Sequence, residues 1–227
     1  MVESRMILAG GGSAADSRPL DEIFARWTGP DGKMLYIPAA TEDRRQYGLG
    51  LQWLHSVFNP LGVDQIDMWT DLFSSDFGGL DQVASVYIGG GNTFLLLSLL
   101  RESRFDQALA AFVLGGGAVY GASAGAIVLG KDITPCAHID QNSVGLTDMR
   151  GLDLVAGHAI WCHYAARDDQ RIARYVAERG IPVVAVSERA GICMEDGRVR
   201  AAGYESCVLF TAQSRRVIPP GQVVPLR

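Results

Sequence analysis

Along the chain, short runs of β-favouring apolar residues alternate with stretches whose apolar positions recur at helical spacing. Residues 6–9, 34–37, 63–68, 85–88 and 118–122 read as strands, most of them ending at glycine or proline. Between them, 19–27 places Leu20, Ile23, Phe24 and Trp27 on one helical face, and 44–58 reads as a helix stopped by Asn59-Pro60. Segments 94–100 and 105–114 also fit helices, the second closing on Gly115-Gly116-Gly117. A short helix over 124–129 follows the strand 118–122 with no loop between. Later strands fall at 158–162, 183–186, 191–194 and 208–211, the last ones as an antiparallel edge. Such alternation predicts an α/β fold: one open, mainly parallel sheet flanked by helices. No internal repeat or linker interrupts it, so residues 1–227 are expected to form a single domain.

Composition narrows the function classes. With 227 residues and 48% apolar content, the chain can bury one substantial core. A net charge of −5 argues against nucleic acid as a partner, because phosphate binding needs a basic surface. No apolar run is long enough to span a bilayer, and the apolar start is too short for a signal peptide. The four cysteines form no Cys-x-x-Cys pair, which indicates neither a zinc cluster nor a redox motif. The expectation is a cytoplasmic protein with reduced thiols, no metal and no cofactor, acting on a small substrate, with a homodimer left open.

The chemistry concentrates at Gly121-Ala-Ser-Ala-Gly125, set between the strand 118–122 and the helix 124–129. A strand that passes through Gly-x-Ser-x-Gly directly into a helix is the layout of a nucleophile elbow. The turn thrusts the serine hydroxyl above the sheet, and its small neighbours let strand and helix approach closely. The pattern alone is weak in so glycine-rich a chain; the flanking strand and helix give it force. Ser123 is therefore the candidate nucleophile of a serine hydrolase. An acyl-transfer site also needs two donors aimed at the oxyanion. The Ala124 amide is the first, and the strand end Gly89-Gly90-Gly91-Asn92-Thr93 is placed to supply the second. That glycine run lacks the Lys-Ser/Thr of a nucleotide P-loop and the glycine spacing of a dinucleotide loop.

The base must be one of four histidines: His55, His138, His158 or His163. His55 lies within a helix, and His158 starts a strand at the wrong end of the sheet. His138 sits in a loop and stays open. His163 follows Ala159-Ile160-Trp161-Cys162 and so falls at a strand's C-terminal end, on the rim of Ser123. Glu188, after the strand 183–186, lies on the same rim and offers a carboxylate for a substrate amine. The strand end Gly10-Gly11-Gly12 reads as a tight turn bordering the crevice.

Gly89-Gly90-Gly91-Asn92-Thr93-Phe94, followed by Gly121-Ala-Ser-Ala-Gly-Ala126, resembles the peptidase E/cyanophycinase family of serine peptidases. Its fold is similar to that of the class I glutamine amidotransferases. The resemblance covers most of the chain and implies Ser123 as nucleophile, with the Gly91 and Ala124 amides as the oxyanion hole. It supports His163, since the family's histidine also ends a strand and precedes an aromatic residue, here Tyr164. It further implies an acid in the loop between serine and histidine; Asp140 matches best by position, with Asp132, Asp148 and Asp153 as rivals. Aspartyl dipeptidases of the family bind an N-terminal aspartate through a downstream arginine. Here the matching position holds Asp168, and Arg167 is the neighbouring candidate for a substrate carboxylate, beside Asn92 in the glycine-rich turn.

The expected activity is dipeptidase-like hydrolysis of short peptides through a Ser-His-Asp triad, with either an N-terminal aspartate preference or a broader specificity. A cyanophycinase-like hydrolase, an esterase and a catalytically silent binding protein are the competing readings. Glutaminase chemistry is disfavoured because the elbow carries serine and position 165 is alanine rather than glutamate.

Overall fold

In the computed structural model, which describes residues 4–73, 77–195 and 197–226, the alternating pattern folds into two sheets. Strands β1 (Arg5–Ala9), β2 (Met34–Ile37), β3 (Ile66–Met68), β4 (Ser85–Ile88) and β5 (Ala118–Ala122) run parallel in the order β3-β2-β4-β5-β1. A second, four-stranded sheet contains β6 (Ala159–Trp161) and β7 (Val183–Ala185), paired parallel, with β10 (Cys207–Phe210) and β11 (Arg215–Ile218) antiparallel beyond β7. Strands β8 (Ala190–Glu195) and β9 (Arg198–Gly203) return to the first sheet and extend it antiparallel past β1. The mainly parallel α/β architecture is therefore present, and the later strands are shared between both sheets.

Among the described residues, six α-helices complete the layers: α1 (Ala14–Thr28), α2 (Arg45–Phe58), α3 (Thr93–Glu102), α4 (Phe105–Leu114), α5 (Ala124–Leu129) and α6 (Asp169–Arg179). Side chains of the central strands alternate between the two faces, as the strand period requires. Leu8, Ile37, Ile88 and Val119 pack on one face under Leu96, Leu100, Phe105 and Ile127. Ile7, Met34, Tyr87 and Tyr120 pack on the other, under Phe24, Leu54 and Phe58. Helix α1 starts five residues before Pro19, the proline that suggests a start at 19. Ser13 sets the true beginning. Its amide and hydroxyl both donate to Asp16 Oδ2, at 3.0 and 2.6 Å. No helix among the described residues is long and apolar enough to cross a membrane.

Candidate active site

The C-terminal ends of β1, β4 and β5 converge where strand β5 turns into α5. Ser123 occupies that turn with φ 50° and ψ −109°, a conformation costly for any side chain and held here by its surroundings. Its amide donates to the Ala9 carbonyl at 3.0 Å, while its own carbonyl accepts from Ala126 and Ile127 at 2.9 and 3.0 Å. Gly121 is required by the closeness of strand and helix: a Cβ there would lie 2.6 Å from the Gly125 carbonyl. The serine is thus fixed on both sides before any substrate arrives.

His163 reaches the same point from the second sheet, two residues past β6. It too has positive φ, 52°, and its amide donates to the Gly10 carbonyl at 3.1 Å. Its Nε2 lies 2.8 Å from Ser123 Oγ. Its Nδ1 lies 3.2 Å from Glu188 Oε1, in the loop between β7 and β8. With Nδ1 protonated towards the carboxylate, Nε2 is left to accept the serine proton, the tautomer a general base needs. The Glu188 side chain is 59% exposed and that of His163 32%, so water shares this contact. The imidazole packs closely on Gly11, whose φ is +122°; a Cβ there would come within 2.4 Å of Cε1. The first glycine run is therefore part of the site, packed against the His163 imidazole.

The carboxylate that the structure sets against His163 Nδ1 is Glu188, whereas Asp140, the expected acid, is bonded to Thr93. Asp140 Oδ2 accepts from the Thr93 amide at 2.9 Å and the Thr93 hydroxyl at 2.6 Å, satisfying a donor that the start of α3 leaves open. The rival acids are also engaged: Asp132 by the Thr134 amide, Asp153 by the Gly157 amide, and Asp148 by Arg150 and Arg101. Asn92, a candidate substrate contact, uses both ends of its amide structurally. Its Oδ1 accepts from the Leu95 amide at 3.0 Å as the α3 cap, and its Nδ2 donates to the Gln141 carbonyl at 2.8 Å. Arg167 is exposed on the turn Ala166–Asp168 and does not line the cavity at Ser123. Ala124 opens α5, where a first-turn amide has no intrahelical partner. Gly91 stands at φ +139°, against Ala40. Among the other histidines, His55 bonds Asn59, His138 stacks on Trp161 with centroids 4.4 Å apart, and His158 is buried against the Ala156 carbonyl.

Behind the site, Asp21 is buried and accepts from Ser17 Oγ at 2.7 Å. Burial pushes its carboxyl up to about 6, against smaller opposite pulls from Ser17 and Tyr120. A raised carboxyl stabilises the fold fully below its unfolded value near 4, and that contribution is lost as pH rises through about 6. In urea unfolding, Asp21→Asn should therefore gain about 3 kcal/mol relative to wild type between pH 4 and pH 7.5. An unchanged difference between the two proteins across that range would contradict this account.

A strained serine held against a histidine on the rim of an α/β sheet is the equipment of a serine-type acyl-transfer enzyme. The chain belongs to peptidase family S51, whose model matches residues 6–202, and it is a serine-type peptidase acting on peptides. It is 26% identical over 190 residues to the "Probable alpha-aspartyl dipeptidase" of Drosophila melanogaster, covering 79% of this chain and 76% of that protein. It is 29% identical over 141 residues to peptidase E of Streptomyces coelicolor, covering 58% of this chain and 57% of that one. The crystal structure of a peptidase from an acI-B1 Actinobacterium superposes with a TM-score of 0.78, covering 97% of this chain and 96% of the other. At 16% identity, that likeness speaks for the fold alone.

Proposed function

We propose that this peptidase cleaves short peptides through a triad of Ser123, His163 and Glu188. The observation that carries the reading is the 2.8 Å contact between Ser123 Oγ and His163 Nε2, at a serine already strained into the elbow conformation. Ser123 Oγ attacks the scissile carbonyl carbon as its proton passes to Nε2. The amides of Ala124 and Gly91 receive the oxyanion. On collapse the C–N bond breaks, and the leaving amine takes the proton from Nε2. Water then attacks the acyl ester and gives a proton to Nε2; the ester C–O bond breaks and Ser123 recovers its hydroxyl. Glu188 keeps the ring in the right tautomer and offsets the imidazolium charge formed in both steps. The Drosophila relative's name carries aspartyl specificity; in this chain the candidate cation, Arg167, stays outside the cavity at Ser123.

The test pairs a fluorophosphonate probe with a dipeptide panel. Covalent labelling of wild type together with dipeptide turnover is the expected result. Absence of both would favour a silent binding protein on the same scaffold, and turnover of acyl esters without peptides would favour an esterase.

A further inference from the structure

We propose that the cavity beside Ser123 is a side-chain pocket selecting a large uncharged residue, aromatic or branched aliphatic, flanking the scissile bond. The proposal rests on the peptidase reading above and names its substrate class. The cavity holds about 280 Å³, at the small end for ligand sites, which suits one side chain better than an extended peptide. It runs from Ser123 and His163 inward to Tyr36, Trp53, Leu54, Tyr87 and Tyr120.

These side chains come from β2, β4 and β5 and from the inner face of α2. Tyr87 and Tyr120 stack with centroids 4.7 Å apart, and Tyr36 and Trp53 meet Tyr87 at 6.1 and 6.4 Å. Together they present ring surface to the space beside the nucleophile, which rewards apolar contact and excludes water. Tyr36, Tyr87 and Tyr120 are all buried, and burial raises each phenol, so the wall stays neutral wherever the enzyme works.

The charge pattern excludes an acidic side chain. Among the described residues no lysine or arginine lines the cavity, and the one basic side chain that does, His163, is already engaged with Ser123 and Glu188. Ser17, on the cavity wall, is hydrogen-bonded to the buried Asp21 carboxylate behind it. A substrate carboxylate placed here would lose water and gain no cation to pair with it. A cationic side chain would have to leave water with no carboxylate among the described residues lining the cavity to pair with it.

Dipeptides varied at each position in turn, as Phe, Leu, Ala, Asp, Glu and Lys, test this with the intact protein. At one of the two positions, Phe and Leu should exceed Asp, Glu and Lys in kcat/KM by about tenfold or more. Trp53→Ala should then lose about tenfold more kcat/KM on the Phe substrate than on its Ala counterpart. Trp53→Phe should recover most of that selectivity, and fluorophosphonate labelling of each variant reports whether the nucleophile is intact. Equal or better turnover of Asp or Glu at both positions would overturn the proposal. So would an equal loss on every substrate in a Trp53→Ala protein that still labels. A wild-type protein that neither labels nor turns over any dipeptide fails the peptidase reading itself, a different outcome from labelling with the wrong preference.

Discussion

Ser123→Ala should lower kcat/KM by about four to six powers of ten, leaving only what binding and the oxyanion donors supply. Only removal of the His163 imidazole should cost as much, because the hydroxyl that bonds to substrate and the group that takes its proton act as one unit. The fold should survive it, since the Ser123 amide and carbonyl, not its hydroxyl, make the bonds that fix the elbow. Ser123→Gly sharpens the test. Alanine must keep φ near 50° at the same steric cost as serine, whereas glycine adopts it freely. The glycine variant should therefore be equally inactive yet more resistant to urea by about 1–2 kcal/mol, the strain released. A glycine variant no more stable than the alanine one would mean that the elbow is not strained.

Glu188→Gln should lower kcat by about two to three powers of ten with little change in KM. Glutamine can hold the ring but cannot offset the positive charge that His163 acquires. The corresponding loss for a buried acid is about four powers of ten; a carboxylate 59% exposed is screened by water and should matter less. Asp140→Asn makes the contrast. It weakens the bonds to Thr93 at the start of α3, so about 0.5–2 kcal/mol of stability should go while kcat stays near wild type. Slow turnover in Asp140→Asn, with Glu188→Gln unaffected, would reverse the assignment. Steady-state kinetics and urea melts on the two variants decide the matter.

The contrast between these two acids shows what a linear reading can and cannot reach. Strands β2, β4 and β5 and helices α4 and α5 fall where periodicity puts them, because each is a short apolar run or amphipathic stretch with glycine or proline at its ends. The elbow is legible for the same reason, and so is the side of the sheet on which His163 lies. Glu188 sits on the anticipated rim, but its partner is set by how the loop after β7 lies across the end of β1, which no spacing encodes. Asp140 has the position of a triad acid and the geometry of a helix cap, and a sequence shows only the first. Strand β11 was invisible because three of its four residues, Arg215, Arg216 and Val217, face solvent and leave no alternation to read. Tyr36, Tyr87 and Tyr120 look like core residues in sequence; only their adjacency across three neighbouring strands makes them a wall beside the serine.

Ser123 and His163 are held from different sheets, yet both are tethered at the end of β1. The Ser123 amide is held by the carbonyl of Ala9 and the His163 amide by that of Gly10, the very next peptide unit. Their separation is thus gauged by about 3.8 Å of one strand rather than by the whole body of the protein. Relative sway of the two sheets would be absorbed elsewhere, because pulling serine from histidine means breaking a bond to that short segment. In effect two successive backbone carbonyls, at the end of β1 and just beyond it, set the spacing between serine and imidazole.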